Sequence, residues 1–360
     1  MKRAANISLA IAFIAVLLAP TVASLLHFEP LKTLDEKRKL AERPKESPWS
    51  LAGLKHASAI AQGWEKYFND RVGLRKLMIG SKSLLTYSLL GVSPSPKVVV
   101  GRSDGDRRWL FLDPSVIHDG IGFESSLGLK PYSAVELQNI AARLVQMRDL
   151  VRGSGARFVV VICPDKHTVY PEYLPAHLRP APGTVSRLDQ FWAMAAVELK
   201  DLPLIDMRPL LRQAKGSMQL YYPSDTHWTW RSGYLAYQAV TEALSAQDPS
   251  RPIAALSNLP WALGPPWVGD LVTLMGIPAI GGDVDWHPGF VDDPVKHGKL
   301  LVIGDSFSGY IRPFLAAHFN EVKFILAAYL IRNVITPQLL EAEKPDVVLI
   351  ESVERYWTML

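Results

Sequence analysis

Residues 157–163 read RFVVVIC, a short apolar run with β-branched residues at its centre. A run of that length suits a strand covered on both faces, because a half-exposed strand alternates apolar with polar side chains and a helix needs more residues. Similar runs recur at Leu202–Ile205, Leu300–Ile303, Val322–Leu326 and Val347–Ile350. Helical patterns separate several of them. Ser133 and Glu136 have capping-box spacing, and Leu137, Ile140, Ala141, Leu144 and Val151 then follow one face until Gly153. Residues 232–245 repeat the pattern with Leu235, Ala236, Ala239, Val240, Ala243 and Leu244. Such alternation predicts an α/β domain with a mainly parallel sheet, covering residues 97–360. Residues 97–112, KVVVGRSDGDRRWLFL, predict two strands around a Gly/Asp/Ser turn. Residues 248–298, rich in Pro, Gly and Trp, predict an irregular insertion.

The amino terminus has a different pattern. Lys2 and Arg3 precede an apolar run from Ile7 to Leu26, about the ~20 residues needed to cross a bilayer. The positive flank predicts that the first residues stay in the cytoplasm and that the rest of the chain lies across the membrane, in a bacterium the periplasm. Residues 1–30 are therefore read as a signal anchor; a cleaved signal with a soluble periplasmic product is the alternative, since Thr21-Val22-Ala23 resembles a cleavage region. Residues 31–96 are read as a charged linker followed by amphipathic helices that pack on the main domain.

Thirty-nine basic residues against 35 acidic ones leave a net charge of only +4, and the basic residues are scattered, so nucleic-acid binding is not expected. The single cysteine, Cys163, excludes an intrachain disulfide and a cysteine metal cluster, and is expected to be a buried thiol.

Two segments carry candidate chemistry. KLLVIGDSFSGY, residues 299–310, places Gly304-Asp305-Ser306 at the carboxyl end of a strand, where open α/β sheets hold their sites. Glycine permits a sharp exit, the serine hydroxyl sits at the sheet edge, and nearby backbone N–H groups can face an oxyanion. The same three residues are also ordinary turn chemistry. A serine nucleophile needs a base, and SDTHW at 224–228 offers His227, with Asp225 two positions earlier. In an extended segment those two side chains share a side, so Asp225 could orient the imidazole and leave its other nitrogen for Ser306. An Asx-type turn is the plainer reading of the segment. A metal site drawn from Asp225, His227, Asp283, Asp285 and His287 is a third possibility, although no metal-ligand spacing supports it.

Taken together, the apolar start, VVVGRSDGDRRWLFL, CPDKHTVYPEYLP, SDTHWTWRSGY, GDSFS and PDVVLIESVERYW resemble the alginate O-acetyltransferase family of AlgJ and AlgX type, in the family's order from about Glu36 to Tyr356. That resemblance implies a circularly permuted SGNH-hydrolase-like three-layer fold. Asp225 and His227 match the family's Asp-x-His pair, and Ser306 matches its nucleophile. Lys166, Trp228, Tyr329 and Arg332 are carried over as substrate-binding candidates, and Glu354-Arg355 resembles the family's closing pair, for which an internal ion pair is an equal explanation. The 101–111 loop is longer than the family's Gly-rich turn, and the carbohydrate-binding module of the AlgX branch is not expected here, so Trp228, Trp230, Trp261, Trp267 and Trp286 are considered as sugar platforms.

The expected function is transfer of an acetyl group through an acyl-serine to hydroxyls of an exported polysaccharide. The resemblance implies a multipass membrane acyltransferase as acetyl donor, no cofactor and no metal. A polysaccharide acetyl-esterase and a non-catalytic polymer-binding scaffold of an export complex are the alternatives.

Overall fold

The computed structural model describes residues 2–30, 39–45, 56–116, 122–277, 282–327 and 334–357. The chain divides into two units, one of residues 1–96 and 272–280, the other of residues 97–271 and 281–360. In the first unit, Lys2–Leu25 is one helix, whose Ala5–Leu25 stretch is long and apolar enough to cross a membrane. Helices Ala57–Arg71 and Arg75–Leu90 follow, separated by a turn at Val72-Gly73-Leu74.

The second unit begins with an antiparallel hairpin, β1 (Val98–Asp104) and β2 (Arg107–Leu112), turning at Gly105 with a left-handed φ of 57°. Strands β3 (Arg157–Cys163) and β4 (Leu204–Asp206) come next, then a two-stranded pair, β5 (Trp261–Leu263) with β6 (Trp286–Pro288). The chain continues through β7 (His297–Gly304), β8 (Phe319–Leu326) and β9 (Val347–Val353). The five-stranded sheet has the order β4-β3-β9-β7-β8, and every pairing in it is parallel. Parallel strands need crossover connections, which place helices on both faces.

The alternation of side chains along each strand sorts the core into two halves. Val159, Val161, Leu300, Val302, Val347 and Leu349 meet Leu211 of helix Met207–Ala214 and Ala236, Tyr237, Val240 and Leu244 of helix Trp230–Gln247. Phe158, Val160, Ile162, Leu301, Ile303, Val348 and Ile350 meet helices Ala134–Gly153, Arg187–Glu198 and Pro337–Glu343 on the other face. The result is a three-layer α/β/α unit. The Ser133 hydroxyl accepts from the Glu136 N–H at 3.3 Å while Glu136 accepts from the Ser133 N–H at 2.7 Å, completing the capping box.

Among its described residues, the insertion at 248–298 holds little regular structure, chiefly β5, β6 and a short helix, Asp270–Leu274. Cys163 is buried at the end of β3. Because β3, β7 and β9 run the same way, Cys163, Gly304 and Val353 end on one rim of the sheet, and the candidate site is built there.

Candidate active site

Ser306 leaves that rim on a tight helical turn, Ser306–Tyr310, directly after β7. Its hydroxyl is exposed while the residues on either side, Asp305 and Phe307, are buried. The Asp305 carboxylate accepts the backbone N–H of Phe307 and of Val353, each at 2.8 Å, so it ties the turn to the end of β9. Beneath it, Oε2 of Glu351 in β9 accepts the N–H groups of Asp305 at 3.0 Å and Ser308 at 3.1 Å. Burial, reinforced by the charge of Asp305, pushes the Glu351 carboxyl well above the usual range and favours its neutral form. Gly304 is required at the exit, since a Cβ there would stand 2.7 Å from Glu351 Oε2.

The segment carrying Asp225 and His227 doubles back on itself. Tyr221 and Trp228 form an antiparallel bridge, and the Tyr222 N–H donates to the His227 carbonyl at 3.3 Å. The extended segment expected here is corrected, and the Asx-type turn is what forms: residues 223–227 turn and bend, and Asp225 Oδ1 takes the His227 backbone N–H at 2.9 Å. The same oxygen lies 2.6 Å from His227 Nδ1, and Nε2 of that ring lies 2.7 Å from Ser306 Oγ. The turn and the acid–base contact are thus one structure, because the Asx-type bond sets the geometry that brings carboxylate and ring together. Burial opposes ionisation of Asp225, but hydrogen bonds and charge from His227, with the Asp270 N–H, hold its carboxyl down at about 2.

Four other groups fix this turn. Lys166, expected on substrate, is buried, and its ammonium donates to the carbonyls of Tyr222 at 2.8 Å, Pro223 at 3.3 Å and Asp225 at 2.6 Å. All three ammonium protons have a carbonyl, so Lys166 supports the loop from below instead of lining a cleft. Burial lowers its pKa to about 8, against the pull of Asp225 and neighbouring acids. The insertion supplies the rest. Asp283 accepts the Ser224 N–H and hydroxyl at 3.0 and 2.6 Å; Asp285 accepts the Tyr222 hydroxyl and the Trp230 N–H at 2.5 and 2.9 Å.

Asp270 accepts the Thr226 N–H at 2.8 Å and hydroxyl at 2.5 Å, and donates its own N–H to Asp225 Oδ2 at 2.7 Å. Burial, then the charge of Asp225, raises its carboxyl. Asp225, His227 and Asp270 are close enough together to share a cation. Their donor atoms are already directed at one another, at Thr226 and at Ser306, so the set fits a proton relay better than a metal shell. Asp283 and Asp285 are spent on the loop, and the sequence-stretch that suggested a metal site is instead its clamp.

Trp228 is another correction: it is fully buried, with its ring N–H on the Phe307 carbonyl at 3.2 Å, and packs under the serine turn. Tyr329 and Arg332 lie outside the described residues. Of the other tryptophans, Trp230 packs on Tyr310 at 4.9 Å, Trp261 on Tyr234 at 5.8 Å and Trp267 on Tyr222 at 4.9 Å between ring centroids. Trp286 is exposed, with the Arg231 guanidinium 5.4 Å from its ring centroid. Glu354 and Arg355 both engage Asp165. Arg355 bonds Asp165, while Glu354 accepts the Asp165 N–H at 2.9 Å and the Thr168 hydroxyl at 2.6 Å.

A family profile described as "SGNH hydrolase-like domain, acetyltransferase AlgX" matches residues 103–322. The chain belongs to that family. It is 28% identical over 244 residues to the probable alginate O-acetylase AlgJ of Pseudomonas putida, covering 63% of this chain and 57% of that one. The probable alginate O-acetylase AlgJ of Azotobacter vinelandii is 26% identical over 245 residues, covering 64% and 57%. The chain therefore spans a little over half the length of these relatives. The solved O-acetyltransferase domain of Pseudomonas putida AlgJ superposes with a TM-score of 0.50 at 24% identity, over 74% of this chain and 93% of the domain, which establishes a shared fold.

Asp270 and Glu351 were not singled out from the sequence. Glu351 left a trace there, an acid inside the apolar run VVLIESV, which a covered strand accommodates only if the carboxyl has a buried partner. Asp270 left none, since its partners are 44 and 45 residues away.

Proposed function

We propose that this chain is an O-acetyltransferase in which Ser306 carries the acetyl group to a hydroxyl of an exported, alginate-like polysaccharide. The supporting observation is the single line of contacts from Asp225 through His227 to an exposed Ser306 Oγ, at 2.6 and 2.7 Å. Family membership and the AlgJ relatives favour acetyl transfer as the chemistry run there.

In the first half-reaction Ser306 Oγ attacks the acetyl carbonyl carbon and its proton passes to His227 Nε2. The donor's leaving oxygen or sulfur takes that proton as its bond to carbon breaks. A sugar hydroxyl then attacks acetyl-Ser306, gives its proton to the same nitrogen, and the proton returns to Ser306 Oγ as the ester leaves. Asp225 keeps the Nδ1 proton in place and stabilises the imidazolium formed in each half. The Ser306 N–H is the first candidate for the oxyanion. General base assistance of this kind contributes about 10²–10⁴-fold.

Residues 1–30 anchor the chain in the inner membrane, residues 31–96 connect the anchor, and residues 97–360 form the acetyltransferase domain on the periplasmic side. A multipass membrane acyltransferase supplies the acetyl unit, and no cofactor takes part. The experiment that tests the reading is incubation of the full chain with an activated acetyl ester and a panel of polyuronate and neutral oligosaccharides. Acetylated sugar forming faster than free acetate supports transfer. Acetate alone makes the chain an esterase, and neither product makes it a binding scaffold.

A further inference from the structure

The amino-terminal unit holds a surface that the proposed chemistry does not use. Gly73 packs against the carboxyl end of helix Lys2–Leu25 so closely that a Cβ on it would lie 2.4 Å from the Ser24 nitrogen and 2.7 Å from the Ala23 Cβ. Its N–H donates to the Ser24 hydroxyl at 2.6 Å, and Ala23 is buried. The turn between helices Ala57–Arg71 and Arg75–Leu90 is thereby fixed to the end of the apolar helix. Ala5–Leu25 spans about 31 Å at 1.5 Å per residue, the thickness of a bilayer core, so that end lies at a membrane–water boundary if the helix crosses.

Both flanking helices have surfaces suited to that depth. On Arg75–Leu90, Leu77 and Met78, Leu84 and Leu85, and Leu89 recur at heptad and one-turn spacing and are exposed, Leu85 at 56% and Leu89 at 76%. Two small serines, Ser81 and Ser88, complete the stripe, and exposed Lys82 borders it. On Ala57–Arg71, Trp64, Tyr67 and Phe68 cluster with centroids 5.4–5.8 Å apart, and Arg43 and Arg71 cover the Trp64 and Tyr67 rings. Five exposed aliphatic side chains on one helix face would be an aggregation liability in water. Leucines with a lysine at their edge, beside a tryptophan–tyrosine cluster and a span, are the composition of an interfacial helix.

We propose that helix Arg75–Leu90 lies in the membrane–water interface, with its leucine stripe against the acyl chains of the leaflet from which the Lys2–Leu25 helix emerges. Lys82 then faces lipid phosphate, and the Trp64 cluster sits at headgroup level. The proposal rests on reading Lys2–Leu25 as a span and is independent of the acetyl-transfer chemistry.

The test uses the full chain in nanodiscs containing anionic lipid, with single spin labels on introduced cysteines, since native Cys163 is buried. Labels go to Leu85, Leu89 and Ser88 on the stripe, Ile14 in the apolar helix and Asp106 in the exposed hairpin turn; Ser88→Cys leaves every leucine in place. Collision with dissolved oxygen and with a water-soluble nickel chelate is then compared. The expected result is oxygen-favoured collision at 14, 85, 88 and 89, shallower on the stripe than at 14, and nickel-favoured collision at 106. Oxygen preference at 14 with nickel preference on the stripe would overturn the interfacial helix while leaving the span. Protection of the stripe from both reagents would also overturn it, by placing protein on that face. Nickel preference at 14 as well would overturn the span beneath it.

Discussion

The backbone N–H of Asp270 donates to Oδ2 of Asp225 at 2.7 Å, joining the irregular insertion to the carboxylate that contacts His227 Nδ1. Asp270 also holds Thr226 through both carboxylate oxygens, and one of these lies 3.9 Å from His227 Nδ1. Its side chain positions the turn and touches no reacting atom. Asp270→Ala removes two hydrogen bonds to Thr226 and leaves the bond from its own backbone. At roughly 1.5–2.5 kcal/mol, kcat is expected to fall about 10- to 100-fold. Asp270→Asn, which keeps an acceptor for Thr226, is expected to recover most of that loss. Equal losses in the two variants, read from steady-state kcat, would mean that charge matters here and not position.

Lys166 gives the account a pH dependence. Its folded pKa of about 8 lies below the ordinary 10.5, so the unfolded chain binds the proton more tightly between those values. This group's contribution to stability therefore becomes more favourable as pH rises from about 8 toward 10.5. Function runs the other way, because the neutral amine keeps only two protons for three carbonyls. Activity is expected to decline with an apparent pKa of about 8 while circular dichroism is unchanged and the Lys166 contribution to Tm rises. A flat profile to pH 10 would remove Lys166 from the positioning role.

Glu351 separates charge from hydrogen bonding beneath the serine turn. If the carboxyl is neutral, Glu351→Gln retains an acceptor for the N–H groups of Asp305 and Ser308, and stability is expected to change by less than about 1 kcal/mol. Glu351→Leu strands both donors and is expected to cost roughly 2–5 kcal/mol, with a matching fall in Tm. Thermal unfolding of the two variants checks this. A Gln variant as unstable as the Leu variant would show that the carboxylate is ionised.

Asp225 is held ionised to about pH 2, against an ordinary 3.8. A depressed folded pKa adds stability above about pH 4 and loses it as pH falls toward 2. The Tm gap between the native chain and Asp225→Asn is expected to narrow across that interval. At neutral pH the Asn variant is expected to lose about 10⁴-fold in kcat, because it no longer enforces the tautomer that leaves Nε2 free. A loss below tenfold would leave Asp225 as turn structure alone.

Much of this architecture was legible in the sequence because covered strands announce themselves locally. RFVVVIC became β3, and the runs around Leu300 and Val347 became β7 and β9. Asp225, His227 and Ser306 were legible as residue types with a chemical need for each other, and the structure brings them into hydrogen-bond reach. The supports were not. Lys166 and Trp228 carried no mark of burial, because a lysine or tryptophan reads alike on a cleft wall and beneath it until the opposing surface is known. Asp270, Asp283 and Asp285 sit in a stretch without periodicity, and their function comes entirely from long-range partners at Thr226, Ser224 and Tyr222.

Peptide mass spectrometry of the full chain after brief exposure to an activated acetyl ester, quenched in acid, tests the central claim most directly. The account predicts one acetyl group on the peptide containing Ser306, absent from Ser306→Ala, and strongly reduced in an Asp225→Asn variant that retains its fold. Acetyl recovered on another side chain, or turnover undiminished in Ser306→Ala, would contradict it.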